Sequence, residues 1–139
     1  MNDKTFVDTN VLIYAHDVDA KSKHEVAKKI LGELWGERGG VLSTQVLQEF
    51  YVAVTRKLAS PLEPGVAHEA VRELAALPVV RVDIPLILSA IPLSQQRQIS
   101  FWDALIVRAA LEGGASVLYS EDLQHGQGFE TLSIQNPLQ

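Results

Sequence analysis

Cysteine is absent from the 139 residues. Disulfides, zinc–thiolate centres and thiol nucleophiles are therefore excluded. No stretch approaches the roughly 20 apolar residues of a membrane span. No long apolar segment follows a basic amino terminus, so no signal peptide is expected either. Positive charge is in short supply: 12 Lys and Arg against 17 Asp and Glu leave a formal net charge of −5. A chain of that sign does not hold nucleic acid by bulk charge alone. A bound divalent cation would nevertheless reverse the local sign. The four histidines, His16, His24, His68 and His125, are dispersed without ligand spacing, which argues against an imidazole metal centre. What is present is ordinary: 47% hydrophobic and 21% charged residues, close to globular averages. The length suits one domain, residues 1–139, with a real core. A soluble protein of the cytoplasm is the expectation.

The opening stretch carries the most information. Thr5-Phe6-Val7 is a short β-prone run that Asp8 interrupts; Thr9 and Asn10 follow, then the apolar run Val11 to Tyr14. A carboxylate at a strand end, followed by residues able to cap and a second apolar run, reads as a strand-to-helix turn. In open α/β sheets such turns lie at the carboxyl edge of the strands, where ligands bind. Beyond it, Val26, Ile30 and Leu34 mark one side of an amphipathic helix from Lys23 to Trp35 that the following glycines stop. Val41-Leu42 reads as a strand ended by Ser43 and Thr44, either able to cap the next helix. That helix shows the stripe Val46, Phe50, Val54 and Leu58, with Glu49 at its margin.

Ser60 to Gly65 is a loop, and Val66, Ala70 and Leu74 predict a helix over 66–77. Val79 to Val82 is a strand by composition. Ile84-Pro85 opens a helix that Pro92 is expected to limit, with a polar stretch from Ser94 to Gln98 beyond it. Ser100 with Asp103 matches a capping box, and the helix it starts is apolar nearly all round, hence buried. Gly113 and Gly114 end it. Ser116 to Tyr119 and Thr131 to Ile134 are the last expected strands. Trp35 and Trp102 read as core residues rather than as platforms for nucleobases. Strands alternating with helices give an α/β protein with a mainly parallel sheet.

In a βαβ crossover, strand carboxyl ends and helix amino termini share one edge. Asp8 and Asp122 each follow a strand, Asp103 opens a helix, and Glu49 lies one turn into another. All four carboxylates are therefore expected at the same edge. Taken singly, each also reads as a cap, a turn former or a solvated helix charge. Together they repel one another and resist ionisation unless a cation is present. An oxygen-only cluster suits Mg²⁺ or Mn²⁺.

At these residues the sequence resembles a family. Phe-Val-Asp8-Thr-Asn10-Val-Leu, Glu49 in a helix after a short second strand, Ser-Phe-Trp-Asp103-Ala-Leu-Ile and Tyr-Ser120-Glu-Asp122 look like the four acidic motifs of PIN domains. The likeness extends from the first strand to Asn136-Pro137-Leu138, and among PIN domains it is greatest to the single-domain VapC-type toxins of bacteria. Of the adjacent Glu121 and Asp122, the second fits the fourth motif, because family members commonly place a small hydroxyl residue two positions before this acid, as Ser120 is here. The resemblance implies a three-layer α/β/α domain, Mg²⁺- or Mn²⁺-dependent cleavage of RNA, homodimerisation, and inhibition by a small antitoxin. Asp8, Glu49, Asp103 and Asp122 are then the expected metal-binding and catalytic residues. Asn10 and Ser120 are expected to orient ligands or water, with a capping role open for Asn10. Arg56, Lys57, Arg97 and Arg108 are candidates for holding the RNA backbone, each also readable as a solvated helix charge.

Three rival readings are distinguishable. A PIN-like scaffold that has lost cleavage would lack an acid, and all four positions are filled. A phosphatase of the haloacid dehalogenase type wants a second Asp two residues after the first, where this chain has Asn10. A response-regulator receiver wants an acidic pair before its phosphorylated Asp and a lysine after a late strand, and neither is visible.

Overall fold

A computed structural model describes residues 4–36 and 39–139. The described elements are β1 (Lys4–Val7), α1 (Thr9–Tyr14), a single 3₁₀ turn (Val18–Ala20), α2 (Ser22–Leu34), β2 (Gly40–Ser43), α3 (Thr44–Arg56), α4 (Pro64–Leu74), β3 (Val79–Val80), α5 (Ile84–Arg97), α6 (Phe101–Glu112), β4 (Ala115–Tyr119), β5 (Gly128–Phe129) and β6 (Leu132–Gln135). The strands form one sheet in the order β3-β2-β1-β4-β6-β5. All neighbours are parallel except β5 and β6, which form an antiparallel hairpin. β1 therefore sits inside the sheet. The chain leaves it towards β2 and β3, then returns across α5 and α6 to add β4 on the opposite side. The strand order reverses between β1 and β4, and in such sheets the crevice at that reversal, outside the strand carboxyl ends, is where ligands bind.

β2 is buried at every residue, as is β1 from Thr5 to Val7, so both faces of the sheet centre are covered. α6 packs against α5 and rests on β2, β3 and β4, while α1, α2, α3 and α4 pack together with α3 resting on β2. The result is the three-layer α/β/α domain expected. α6 is buried from Ala104 to Val107 and again at Ala109 and Ala110, as its all-round apolar character requires. Phe6, Leu12, Phe50, Leu118 and Ile134 are fully buried between the layers. Each such side chain contributes about 1.5–3 kcal/mol of burial free energy.

Several sequence expectations shift by small amounts. In α2 the core face is Ala27, Ile30 and Leu34, and Val26 is exposed; in α4 it is Ala67 and Leu74, and Val66 is exposed. Steps of four residues overshoot one turn by about 40°, so a stripe drawn in strict fours drifts off the core at one end. Leu58 lies beyond the end of α3 and only partly buried. α4 ends at Leu74 rather than residue 77, and β3 keeps two residues rather than four. Ser43, not Thr44, caps α3 by accepting from Val46 N at 3.3 Å, while Thr44 Oγ1 accepts from Val82 N at 3.1 Å. α5 does not stop at Pro92 but continues to Arg97, so the polar stretch is helical. The carbonyl that proline leaves without a donor belongs to Leu88, which is largely exposed, and water can satisfy it. β5 escaped the sequence reading because two residues carry no periodicity.

Candidate active site

Asp8 ends β1 and stands at the amino end of α1. Its carboxylate is divided between two donors: Thr9 N to Oδ1 at 2.7 Å and Ser120 Oγ to Oδ2 at 2.9 Å. Ser120 follows β4, the strand next to β1, and its hydroxyl also accepts from Asp122 N and Leu123 N at 3.2 and 3.3 Å. Backbone pairing continues past both strands, with Asp8 N donating to Tyr119 O at 2.9 Å. The carboxylate thus sits at the crevice where the strand order reverses.

The other acids gather on the same crevice. Thr9 Oγ1 donates to Glu49 Oε1 at 2.7 Å, which ties α3 to the start of α1. Gln45, one turn before Glu49 and nearly fully buried, donates through Nε2 to Glu49 Oε2 at 3.3 Å and to the Trp102 carbonyl at 3.4 Å. Asp103 lies in the first turn of α6, where Ser100 Oγ accepts from its backbone N at 3.0 Å, half of the expected capping box. Asn10 Nδ2 donates to Asp122 Oδ1 at 3.2 Å. Asp8, Glu49, Asp103 and Asp122 all line one cavity of about 550 Å³, together with Asn10, Gln45, Lys57 and Trp102. Asp8 is buried at its floor; Glu49 and Asp122 are exposed at its rim.

Burial dominates the electrostatics, and the neighbouring acids add to it. Burial is the main cause raising the Asp8 carboxyl from its ordinary 3.8 to about 7; the Thr9 and Ser120 hydrogen bonds oppose the rise, and the charges of Asp122 and Asp103 add to it. Burial, then the charges of Asp103, Glu121 and Glu49, also push Asp122 up, with Asn10 opposing. Glu121 differs. Burial works against its ionisation, but the hydrogen bonds from Lys23 Nζ at 2.6 Å and Tyr14 Oη at 2.9 Å hold its carboxyl below the ordinary range. It is committed to that ion pair, whereas its neighbour Asp122 faces the cavity.

Among the described residues, no three His, Asp or Glu side chains stand close enough to enclose a bare cation. The donor set is nevertheless hard oxygen, and the four carboxylates line a single cavity. Mg²⁺ dehydrates reluctantly and is commonly held by one or two carboxylates and several waters. The residues fit a hydrated ion of that kind.

Of the basic candidates, Lys57 lines the cavity. Arg56 is exposed outside its lining. Arg97 donates to Gly128 O at 3.0 Å and lies over the Phe129 ring, and Arg108 pairs with Glu130 at 3.1 Å, so both serve the β5 hairpin region. The tryptophans are not core: Trp35 is 47% and Trp102 62% exposed. Both sit at helix ends, where an apolar residue need not face inward. Thr9 and Gln45 were not anticipated. Thr9 adjoins Asp8, and Gln45 stands one helical turn from Glu49, but neither spacing alone announces a partner.

An α/β domain with carboxylates from four separate elements around its switch-point crevice is a narrow class. The PIN domain profile matches residues 5–127, and the chain belongs to that family. No curated protein sequence matches it significantly. Solved structures share its fold. The Mycobacterium tuberculosis toxin VapC20, described as cleaving the sarcin–ricin loop, is 21% identical with a TM-score of 0.64, covering 85% of this chain and 89% of its own. A chain of a Klebsiella pneumoniae toxin–antitoxin complex is 19% identical with a TM-score of 0.68, covering 96% and 97%. A chain of Rickettsia felis VapBC2 bound to promoter DNA is 15% identical with a TM-score of 0.64, covering 95% and 97%.

Proposed function

We propose that this chain is a divalent-metal-dependent endoribonuclease that hydrolyses RNA phosphodiester bonds, acting as one domain in the cytoplasm as the toxin of a type II toxin–antitoxin pair. The observation that carries the reading is the gathering of Asp8, Glu49, Asp103 and Asp122 around one cavity from positions far apart in the sequence. Membership of the PIN family and likeness to toxin chains support it. In this reading the four acids hold Mg²⁺ or Mn²⁺, in part through water. The ion supplies two things when bound: a lowered pKa for water and charge to offset that developing on the phosphate.

The chain's own residues do the rest. Ser120 and Thr9 N hold the Asp8 carboxylate in one orientation, Thr9 Oγ1 and Gln45 hold Glu49, and Asn10 holds Asp122. Such outer contacts fix the direction of ligand oxygens. Lys57, on the same cavity, offers a cation to the RNA backbone. The proposed partners are RNA, a second copy of the chain and a small antitoxin. Among the described residues, no helix is long and apolar enough to cross a membrane.

The test is cleavage of a labelled RNA panel by purified protein with Mg²⁺, with Mn²⁺ and with excess chelator. Activity that needs the ion and disappears in Asp8→Asn and Asp103→Asn supports the reading; full activity in those variants removes it. Among the described residues no three acids form a direct cage, which leaves one rival, a PIN-like scaffold that binds without cutting. Metal-independent RNA or protein binding with no cleavage under any condition would establish that rival.

A further inference from the structure

Trp102 is the feature of the cavity that metal chemistry leaves unused. It precedes Asp103 in the first turn of α6, lines the cavity with the four acids, and is 62% exposed on a helix that is otherwise largely buried. Two contacts bear on it: Gln45 Nε2 donates to its backbone carbonyl at 3.4 Å while reaching Glu49, and the Phe101 and Trp102 rings meet edge-to-face, with centroids 5.2 Å apart at 72°. A large, mostly exposed aromatic side chain thus stands on the same cavity as the acids.

Resting on the proposed nuclease function, we infer that Trp102 is the platform on which an unpaired nucleobase of the RNA stacks beside the scissile phosphate. The charge balance asks for such a contact. With a net charge of −5 the protein has little bulk attraction for a polyanion, and of the four basic candidates only Lys57 lines the cavity. Stacking supplies affinity that does not depend on charge and tolerates any base, because every base has a π-face. A base within a duplex has no free face, so the contact needs an unpaired base at that position.

The chain has two tryptophans, so Trp35→Phe leaves Trp102 as the sole indole reporter, and Trp35 has no part in the cavity. Titrating that variant with a short single-stranded RNA, with Ca²⁺ in place of Mg²⁺ so that the acidic cavity keeps a compensating cation, should quench its fluorescence; a duplex of the same sequence should not. In cleavage assays Trp102→Ala is expected to lower kcat/KM on single-stranded RNA about 5- to 100-fold, mainly through KM. Trp102→Phe should recover most of the loss and Trp102→Leu should not, with thermal midpoints unchanged in all three. Equal recovery by Leu would mean that the indole is only apolar filler, and unaltered kinetics in Trp102→Ala would mean that no base rests there; either overturns the inference while leaving the nuclease reading intact. If the unmodified protein cuts nothing, the fluorescence arm still decides: quenching by single strands sustains the platform, and no quenching ends it.

Discussion

Replacing Asp8 with Asn should make the protein more stable while destroying its function, and the gain should depend on pH in a defined way. The folded carboxyl titrates near 7 instead of its ordinary 3.8, with burial as the main cause. Between those values the folded state binds more protons than the unfolded chain, so stability falls as pH rises from about 4 to about 7 and stays low above that. The full penalty corresponds to about 4 kcal/mol, at 1.36 kcal/mol per pH unit. Asn imitates the protonated acid. It keeps an oxygen for Thr9 N. Its amide nitrogen faces Ser120 Oγ, whose lone pairs already accept from Asp122 N and Leu123 N, so the Ser120 hydrogen bond is lost at a cost of about 1–3 kcal/mol. The variant should therefore fall below the parent near pH 4 and exceed it by about 1–3 kcal/mol at pH 8, a rise of very roughly 3–10 °C in melting midpoint for a domain of this size. Urea unfolding at closely spaced pH values, in chelator, measures the difference directly. Mg²⁺ should raise the midpoint of the parent at pH 8 and leave that of the variant nearly unchanged, because a ligand that binds only the folded state stabilises it. Parallel stability curves for the two proteins from pH 4 to pH 8 would refute the claim that a buried carboxylate is ionised there at a cost.

Three further outcomes are expected. Asp122→Asn should reduce RNA cleavage about 100-fold or more, while Glu121→Gln should cut at nearly the parental rate, since Glu121 is engaged by Lys23 and Tyr14. Ser120→Ala strands an oxygen of Asp8 and two backbone donors; denaturant unfolding should show a loss of about 1–3 kcal/mol, and calorimetric titration about 10- to 100-fold weaker Mn²⁺ binding. Gly113→Ala should cost about 1–3 kcal/mol in urea unfolding, because the added methyl would lie 2.6 Å from Val41 Cγ1 and 3.1 Å from Val80 Cγ2. Valine is stiff at χ1 and cannot swing aside.

Most of the architecture was legible because each element advertises itself locally. Asp8 interrupts an apolar run, Ser100 and Asp103 form a cap signature, and Gly113-Gly114 close the buried helix. The common edge for the acids followed from βαβ geometry alone. What was not legible depends on contacts between distant residues or on solvent. Gln45 joins Glu49 to Trp102 across 57 residues of sequence, a pairing no spacing rule foretells. Trp102 is apolar and sits in an apolar motif, so only its position at a helix start, facing a cavity, reveals it as exposed. The passage of α5 through Pro92 depended on which side of the helix faced water, and the drift of the α2 and α4 stripes on the mismatch between steps of four and the helical turn.

The contacts that finish the cavity join segments far apart in the sequence. Ser120 reaches Asp8, and Asn10 reaches Asp122, each across 112 residues. A ribosome that has released everything up to α6 has therefore made three of the acids but not the strand that holds the first in place. Such a nascent fragment has no finished crevice. The four acids share one cavity only after β4 and the Ser120 turn that follows it have joined β1.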